Sequence, residues 1–412
     1  MIEGVTLDSA MIGELERAGA ESSAITLQPL PRAATPSSRR KAAKNLGQRV
    51  LVLQGGGALG AYQVGVYQAL HEAGLEPDWV VGTSIGAINA SLIAGSAPAD
   101  RPDRLEEFWR RVVHGPLHQL FGALPGFGPL VANMLTVSAG IPAFFRPNPF
   151  AFMGPHVPLG PDAAGYYDTA PLRSTLCDLV DFGRIDRKET RLTVGAANVS
   201  TGEMRYFDSR DMPLDVRHVM ASGALPPAFP PVRIDGELYW DGGILSNTPV
   251  ETVFDDNPRQ SSLVFAVHIW NPHGSEPTTM WEVTNRQKDI QYSSRAVSHI
   301  ARQKQIHRLR HVIAELAGRL PEAERRKADV QELAGFGCLT RMHVVRLLAP
   351  PVDGEDHTKD VDFSPAGIRA RREAGYADTS RVLELAPWSG EFEPIEGFIL
   401  HEAGSGALMT AG

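Results

Sequence analysis

The sequence predicts an α/β fold in which helices cover a largely parallel β-sheet. Residues 50–53 form a short apolar run bounded by glycines, and residues 61–73 then carry apolar side chains at helical spacing. A second unit follows at once, with a strand at 79–81, a glycine-containing turn at 82–86 and a helix of small residues at 85–95. Strand, tight turn and helix repeated within about 50 residues is typical of a βαβ arrangement.

Further elements are expected along the rest of the chain. The strands at 192–198 and 204–207 form a hairpin, and Ser364 followed by a proline is typical of a helix start. After Pro387 the chain is expected to lack regular structure. The remaining predictions are helices at 171–180, 216–222, 281–320 and 364–385, a hairpin around Asp235-Gly236, and strands at 239–240 and 263–269.

The long helical region 281–320 presents an apolar stripe in a basic background. It holds eight Lys and Arg residues against three Asp and Glu residues, in a chain whose net charge is −8. Packing of the stripe against the sheet is favoured over the alternative, in which the helix lies on a membrane. The stripe consists of Ile306, Leu309, Ile313, Leu316 and Leu320.

These elements suggest three parts. Residues 1–46 read as a flexible, solvated tail, although its basic cluster would also suit anionic lipid. Residues 47–275 form the main domain, and residues 276–412 form a mainly helical C-terminal extension. Residues 114–165 are an apolar insertion rich in Phe, Gly and Pro, for which a lid facing lipid and an irregular segment packed on the core are equally supported.

Composition excludes several classes of protein. The 412 residues are 43% hydrophobic and 21% charged, which rules out a wholly disordered chain, and the net charge of −8 gives no overall attraction for nucleic acid. Cys177 and Cys338 are too few for a disulfide framework. We expect no transmembrane segment, because no stretch approaches about 18 apolar residues. We also expect no secretory signal, and therefore a cytoplasmic protein that is at most peripheral to a membrane.

The first motif that carries chemistry is the glycine loop, residues 55–60, between the first strand and its helix. Its sequence Gly-Gly-Gly-Ala-Leu-Gly lets successive backbone N–H groups point into one concavity at a helix N-terminus. Such a loop binds an anion, but a nucleotide phosphate would fit as well, and a sharp structural turn would need no ligand.

The second motif, Gly82-Thr83-Ser84-Ile85-Gly86, matches the G-x-S-x-G pattern of a nucleophile at the tip of a strand-to-helix turn. By itself the pattern favours a glycine-lined turn without a catalytic role, because it often arises by chance. Two adjacent parallel strands would bring Ser84 and the glycine loop to the same sheet edge.

A serine nucleophile also needs a base to accept its proton. Asp241-Gly242-Gly243 follows a predicted strand and supplies a carboxylate, although Asp-Gly is also a common hairpin turn. His218 and His268 are the histidines nearest the motifs and keep a triad possible, but both are better explained as core histidines. The carboxylate would act through desolvation and through strong stabilisation of charge on the substrate oxygen.

The three motifs in this order, with Ala221-Ser222-Gly223-Ala224-Leu225-Pro226 before the last, resemble the patatin-like phospholipase family. The likeness runs from about residue 50 to 269. It implies a three-layer α/β/α fold and a Ser-Asp dyad that hydrolyses acyl esters of lipids, with Ser84 as nucleophile and Asp241 as general base. Many relatives carry Arg or Lys where this chain has Leu59, so a side-chain cation that assists the oxyanion is either absent or supplied from elsewhere in the chain.

The resemblance also implies the oxyanion donors and the glycines that shape the motifs. The donors are Gly55, Gly56, Gly57 and Ala58, and the supporting glycines are Gly60, Gly82, Gly86, Gly242 and Gly243. We expect no cofactor, no metal and no nucleic acid, and a lipid substrate at a membrane or micelle surface. Two alternatives remain, and in both the protein acts by binding a partner. It would be either a catalytically silent patatin-like scaffold or a protein whose glycine loop binds an anion. The sequence leaves the oligomeric state open.

Overall fold

A computed structural model describes residues 47–113, 136, 138–352, 355–393, 395–403 and 408–411. The predicted N-terminal tail, residues 1–46, lies outside these residues, as does most of the first half of the predicted insertion.

Ten of the strands form a single mixed sheet, with the order β12-β11-β10-β9-β1-β2-β5-β8-β7 and β6 paired to β5. The remaining two, β3 and β4, form a small separate hairpin. The strands are β1 (Gln48–Leu53), β2 (Trp79–Gly82), β3 (Arg146–Pro147), β4 (Tyr167–Asp168), β5 (Arg191–Asn198), β6 (Met204–Asp208), β7 (Val232–Ile234), β8 (Glu237–Asp241), β9 (Ser262–His268), β10 (Met342–Leu348), β11 (Phe398–Ala403) and β12 (Leu408–Ala411).

Helices cover this sheet, and several begin and end within a residue or two of the predicted positions. The α-helices are α1 (Ala61–Glu72), α2 (Ile85–Ala94), α3 (Arg101–Val112), α4 (Ala170–Leu179), α5 (Phe182–Asp186), α6 (Val216–Ser222), α7 (Val250–Phe254), α8 (Met280–Arg319), α9 (Glu322–Arg325), α10 (Ala328–Ala334) and α11 (Pro365–Leu385). The oxygen of Ser364 accepts a hydrogen bond from the N–H of Gly367, which confirms the predicted start of α11.

The centre of the sheet is parallel, as predicted. Strands β11, β10, β9, β1, β2 and β5 run in one direction, and β6, β7, β8 and β12 make antiparallel pairs. In β1, Leu51 and Leu53 face one apolar cluster, whereas Val50 and Val52 face the other. Because side chains alternate across a strand, a run that is buried throughout requires cover on both faces. The result is the α/β/α arrangement.

The C-terminal extension contributes strands as well as helices. Strand β10 pairs in parallel with β9, so the extension continues the sheet of the main domain. The expectation of an unstructured tail after Pro387 is wrong, because β11 follows it and pairs with β10. Both strands were missed because they contain polar histidines. In the structure, the buried rings of His343 on β10 and His401 on β11 stack with a nitrogen–nitrogen distance of 3.0 Å.

Helix α8 does not bury its apolar stripe, so the favoured packing of that stripe on the sheet is wrong. Leu309 and Leu316 are 63% and 59% exposed. The buried face instead carries Gln303, His307 and His311. His307 Nε2 donates to the carbonyl of Thr340 at 3.0 Å, so polar groups pair with acceptors on the neighbouring segment. Apolar spacing identified a helix but could not identify which face meets the protein.

The described half of the insertion contains both buried and exposed aromatic side chains. Phe144 and Phe145 are buried in the core, whereas Phe150 and Phe152 on a 3₁₀ turn are 64% and 60% exposed. The insertion therefore packs on the core with one segment and presents apolar side chains to the outside with the next.

Helix α11 packs on α1, the helix that follows the glycine loop, through two glycines. A Cβ added at Gly65 would lie 1.9 Å from the carbonyl oxygen of Arg372, and one added at Gly375 would lie 2.0 Å from that of Tyr62. The two backbones approach too closely for any side chain at these positions. The extension thus supports the helix behind the candidate site.

Candidate active site

Ser84 stands in a strained turn between β2 and α2. Its backbone φ is 56° and its ψ is −126°, a region that residues with a side chain rarely adopt. A Cβ at Gly82 would lie 2.3 Å from the carbonyl oxygen of Gly86, and a Cβ at Gly86 would lie 2.3 Å from that of Leu53. The glycines of the motif are therefore required by close backbone approaches, and the turn holds Ser84 at its tip.

Asp241 is the last residue of β8 and is 1% exposed. Its backbone pairs with Ala196 of β5, and its N–H donates to the carbonyl of Ala224 at 3.0 Å. One carboxylate oxygen accepts a hydrogen bond of 2.7 Å from the N–H of Gly243. The Gly-Gly that follows the aspartate thus forms a turn that orients the carboxylate.

The fold brings Ser84 and Asp241 together, although 157 positions separate them in the chain. Burial raises the pKa of Asp241 to about 7, while hydrogen bonds from the Ser84 side chain and from the Gly243 N–H pull the pKa down. A carboxylate with this pKa is a far better proton acceptor at neutral pH than one in water.

The glycine loop lies beside this pair because β1 and β2 are neighbours, with Leu53 opposite Gly82. Within the described part of the chain, the N–H groups of Gly56, Gly57 and Ala58 donate to no protein acceptor. The N–H of Gly55 donates to the carbonyl of Asn247 at 3.1 Å. Because this N–H is already paired, the prediction of Gly55 as an oxyanion donor is wrong, and its role is structural.

The carbonyl of Gly55 is held by two side chains. Trp270 Nε1 donates to it at 2.8 Å, and Asn247 Nδ2 donates at 3.0 Å. Because the C=O and N–H of one trans peptide point in opposite directions, these bonds direct the N–H of Gly56 away from Trp270 and Asn247. Sequence reasoning gave no role to Asn247, although it lies six residues after Asp241, or to Trp270.

A cavity of about 280 Å³ opens at Ser84, Asp241 and the first three residues of the glycine loop. Its remaining wall is mostly apolar and includes Ile88, Phe144, Phe145, Tyr167, Leu225, Ala228, Phe229, Val361 and Phe363. The wall as described contains no Lys, Arg or His. Of the predicted residues, Ala58, Gly60, Gly82, Gly86 and Gly242 are not part of the wall.

The C-terminal extension supplies part of this wall. Tyr292 of α8 lines it, and so does Asp360, whose backbone carbonyl lies so close to Gly57 that only glycine fits there. Two crossed ion pairs attach this segment to α8. Lys288 Nζ is 2.8 Å from Asp360, and Lys359 Nζ is 2.7 Å from Asp289.

The two histidines considered for a triad lie elsewhere. His218 is buried and its Nδ1 accepts a hydrogen bond from the N–H of Asp215 at the start of α6. Burial lowers its pKa, and burial lowers the pKa of His268, on β9, to about 3. Both side chains belong to the core of the described structure, in agreement with the favoured interpretation.

Comparison with known protein families agrees with this geometry. One family model, described as patatin-like phospholipase, matches residues 51–254, and a second, described as patatin phospholipase, matches residues 290–394. The chain belongs to the patatin-like phospholipase family. The second match shows that the extension, too, follows a pattern found in the family.

Curated relatives are much longer than this chain. Lysophospholipase nte1 of Aspergillus terreus is 26% identical over 272 residues, which are 60% of this chain and 15% of that protein. Patatin-like phospholipase domain-containing protein 6 of Mus musculus is 29% identical over 206 residues, 49% of this chain and 12% of that protein. Among solved structures, VipD from Legionella pneumophila is 16% identical, with a TM-score of 0.34, over 82% of this chain and 67% of that one.

Among the residues that the structure describes, no helix has the length and apolar character needed to cross a bilayer. The two cysteines, Cys177 and Cys338, are free thiols.

Proposed function

We propose that this protein hydrolyses acyl ester bonds of phospholipids or related lipids, with Ser84 as nucleophile and Asp241 as general base. The single observation that supports this most strongly is a strained serine hydrogen-bonded to a buried aspartate at the end of an apolar cavity. The names of the curated relatives point to the same substrate class.

In the first half-reaction, Ser84 Oγ attacks the ester carbonyl carbon and its proton passes to the Asp241 carboxylate. The carbonyl oxygen becomes an oxyanion, for which the free N–H groups of Gly56 and Gly57 in the cavity wall are suitable donors. The N–H of Ala58, which lies behind the wall, is free as well. The C–O bond to the alcohol then breaks, and the alcohol leaves with the proton from Asp241. The acyl chain stays on Ser84 as an ester, with the apolar wall around it.

In the second half-reaction, Asp241 takes a proton from water, which attacks the acyl-enzyme through the same oxyanion. Ser84 regains its proton and a fatty acid leaves. The part of the cavity wall that the structure describes contains no Lys, Arg or His, so the proposal assigns stabilisation of the oxyanion to backbone donors. The loss of one such donor typically costs a hundredfold or more in rate.

The test combines labelling and product release. A fluorophosphonate probe should label the wild-type protein, and mixed phospholipid should release fatty acid, whereas Ser84→Ala should do neither and Asp241→Asn should lose at least about a thousandfold in rate. Ser91→Ala changes another buried serine, on α2 and outside the cavity wall, and should remain active.

Folded wild-type protein that is neither labelled nor active would instead support a silent scaffold or an anion-binding glycine loop. Labelling without release from any lipid would keep Ser84 as a nucleophile but reject the lipid substrate.

A further inference from the structure

Apolar side chains are exposed next to the candidate active site. On the described part of the insertion, Phe150, Phe152 and Met153 are 64%, 60% and 71% exposed. The ring of Phe152 lies 5.5 Å from that of Tyr166, the residue directly before Tyr167 of the cavity wall. This segment therefore contacts a residue that directly adjoins the cavity wall in the chain.

Two other segments with exposed apolar side chains are connected to residues of the cavity wall from different parts of the chain. Ile244 is 43% exposed and directly follows Gly243, which lines the cavity. At the start of α8, Met280 and Trp281 are 74% and 52% exposed, and the ring of Trp281 lies 4.8 Å from that of His357. His357 in turn accepts, through its backbone carbonyl, a hydrogen bond from Lys288, which also binds Asp360 of the cavity wall.

We infer that these side chains, the apolar rim, insert into the surface layer of a lipid bilayer and hold the cavity open to it. The apolar rim consists of Phe150, Phe152, Met153, Ile244, Met280 and Trp281. The inference rests on the proposed function, because it takes a lipid as the molecule that enters the cavity.

The position of the rim favours a bilayer over a protein partner. A protein docked on residues adjoining the cavity wall from three segments would cover the opening that a substrate needs. A bilayer on the same residues would supply the substrate. Exposed apolar side chains together with an interfacial tryptophan are what membrane-surface binding requires.

The far end of α8 provides a matched comparison. Leu309 and Leu316 of α8 are 63% and 59% exposed, and Phe336, which follows α10, is 64% exposed, so they are as accessible as the rim. Leu309 lies 28 residues after Trp281, about 42 Å along the helix. His307, two residues before Leu309, bonds to Thr340, which directly precedes β10. This part of α8 therefore lies near the N-terminal ends of the parallel strands, whereas the cavity lies at their C-terminal ends.

The first experiment measures binding of the full-length Ser84→Ala protein to vesicles of phosphatidylcholine and phosphatidylglycerol by flotation. Adding Phe150→Ser, Phe152→Ser and Met153→Ser should weaken binding at least about tenfold, because three apolar side chains no longer leave water. Adding Leu309→Ser, Leu316→Ser and Phe336→Ser instead should leave binding within about twofold. Equal binding by both sets, or a loss confined to the far-end set, would overturn the inference.

The second experiment reads the contact directly. Of the six tryptophans, Trp281 is more than half exposed, whereas Trp79, Trp109, Trp270 and Trp388 are buried and Trp240 is intermediate. Vesicles with brominated acyl chains should quench the fluorescence of the Ser84→Ala protein, and Trp281→Phe should remove most of that quenching. Quenching that survives Trp281→Phe, or none at all on bound vesicles, contradicts insertion of the rim.

Activity separates the inference from the proposed function. In an otherwise wild-type chain, the three rim substitutions should lower hydrolysis of vesicle phospholipid at least about tenfold but leave a soluble short-chain ester within about twofold. If the wild-type protein binds vesicles through the rim and hydrolyses neither substrate, the proposed function fails while the surface stands. If the wild-type protein hydrolyses both substrates and the rim substitutions do not alter the hydrolysis of vesicle phospholipid, insertion of the rim is rejected and the proposed function stands.

Discussion

Trp270 Nε1 donates a 2.8 Å hydrogen bond to the carbonyl oxygen of Gly55, and thereby fixes the peptide plane whose N–H belongs to Gly56. An oxyanion donor works only if it is oriented before the reaction, because reorientation during the reaction would cost free energy. Under the proposed function, Trp270 is a positioning residue. It touches the loop and acts through it.

Replacement of this donor should affect turnover more than substrate binding. We expect Trp270→Phe, which keeps a ring and removes the N–H, to lower kcat about fivefold with little change in KM, as one hydrogen bond is worth about 1 kcal/mol. The measurement is steady-state kinetics on a short-chain ester. Trp388→Phe is the matched control, because the Nε1 of Trp388 is buried with no partner in the described structure. Equal effects of the two substitutions would reject the positioning role.

The strain at Ser84 predicts an inverted order of stability. At a φ of 56°, glycine should be tolerated better than alanine. The free energy of unfolding of Ser84→Gly should therefore be at least about 1 kcal/mol higher than that of Ser84→Ala. Denaturant unfolding of both variants gives the comparison. At Ser91, inside α2, the order should reverse, because glycine lowers helix stability by about 1 kcal/mol. An alanine variant at Ser84 as stable as the glycine variant would contradict strain in the turn.

Asp241 should give both activity and stability a pH dependence. Because its pKa in the folded protein is about 7 and a carboxylate base must be deprotonated, kcat/KM should rise with pH and level off above about 7. The folded chain holds this proton more tightly than the unfolded chain between about pH 4 and 7, so Asp241 makes stability fall as pH rises through that interval.

Asp241→Asn cannot titrate, and it provides the control. The free energy of unfolding of the wild type relative to this variant should decrease by an amount on the order of a few kcal/mol between pH 4 and 8. Urea unfolding at a series of pH values measures it. A constant difference would show that Asp241 is not desolvated.

The close contact between α1 and α11 predicts a steric effect. Gly375→Ala should lower the free energy of unfolding by about 1–3 kcal/mol, since its Cβ would lie 2.0 Å from the Tyr62 carbonyl. Gly318→Ala on α8, where nothing lies within 4 Å, should instead stabilise the chain by up to about 1 kcal/mol. Similar results for both would mean that the two helices do not pack through glycine.

Much of the site was predictable because its parts are local. The turn at Ser84 and the glycine loop each depend on a few consecutive residues, and a glycine between a strand and a helix indicates a backbone that must bend sharply. Buried runs in β1 and β9 likewise indicate a sheet covered on both faces. Strands β10 and β11 were missed because His343 and His401 are polar, and their pairing is visible only across strands.

The amino-acid order by itself determined the alternation of strands and helices, the two glycine-rich turns and the family, because these are properties of short segments and their succession. Tertiary structure brings Asp241, which the resemblance had named, beside Ser84, since β5 and β8 must pair before Asp241 reaches it. It also decided that the Gly55 carbonyl accepts a hydrogen bond from Trp270, and that α8 buries two of its histidines and exposes its leucines. Each of these depends on a hydrogen-bond partner far away in the chain, and only the folded molecule supplies that partner.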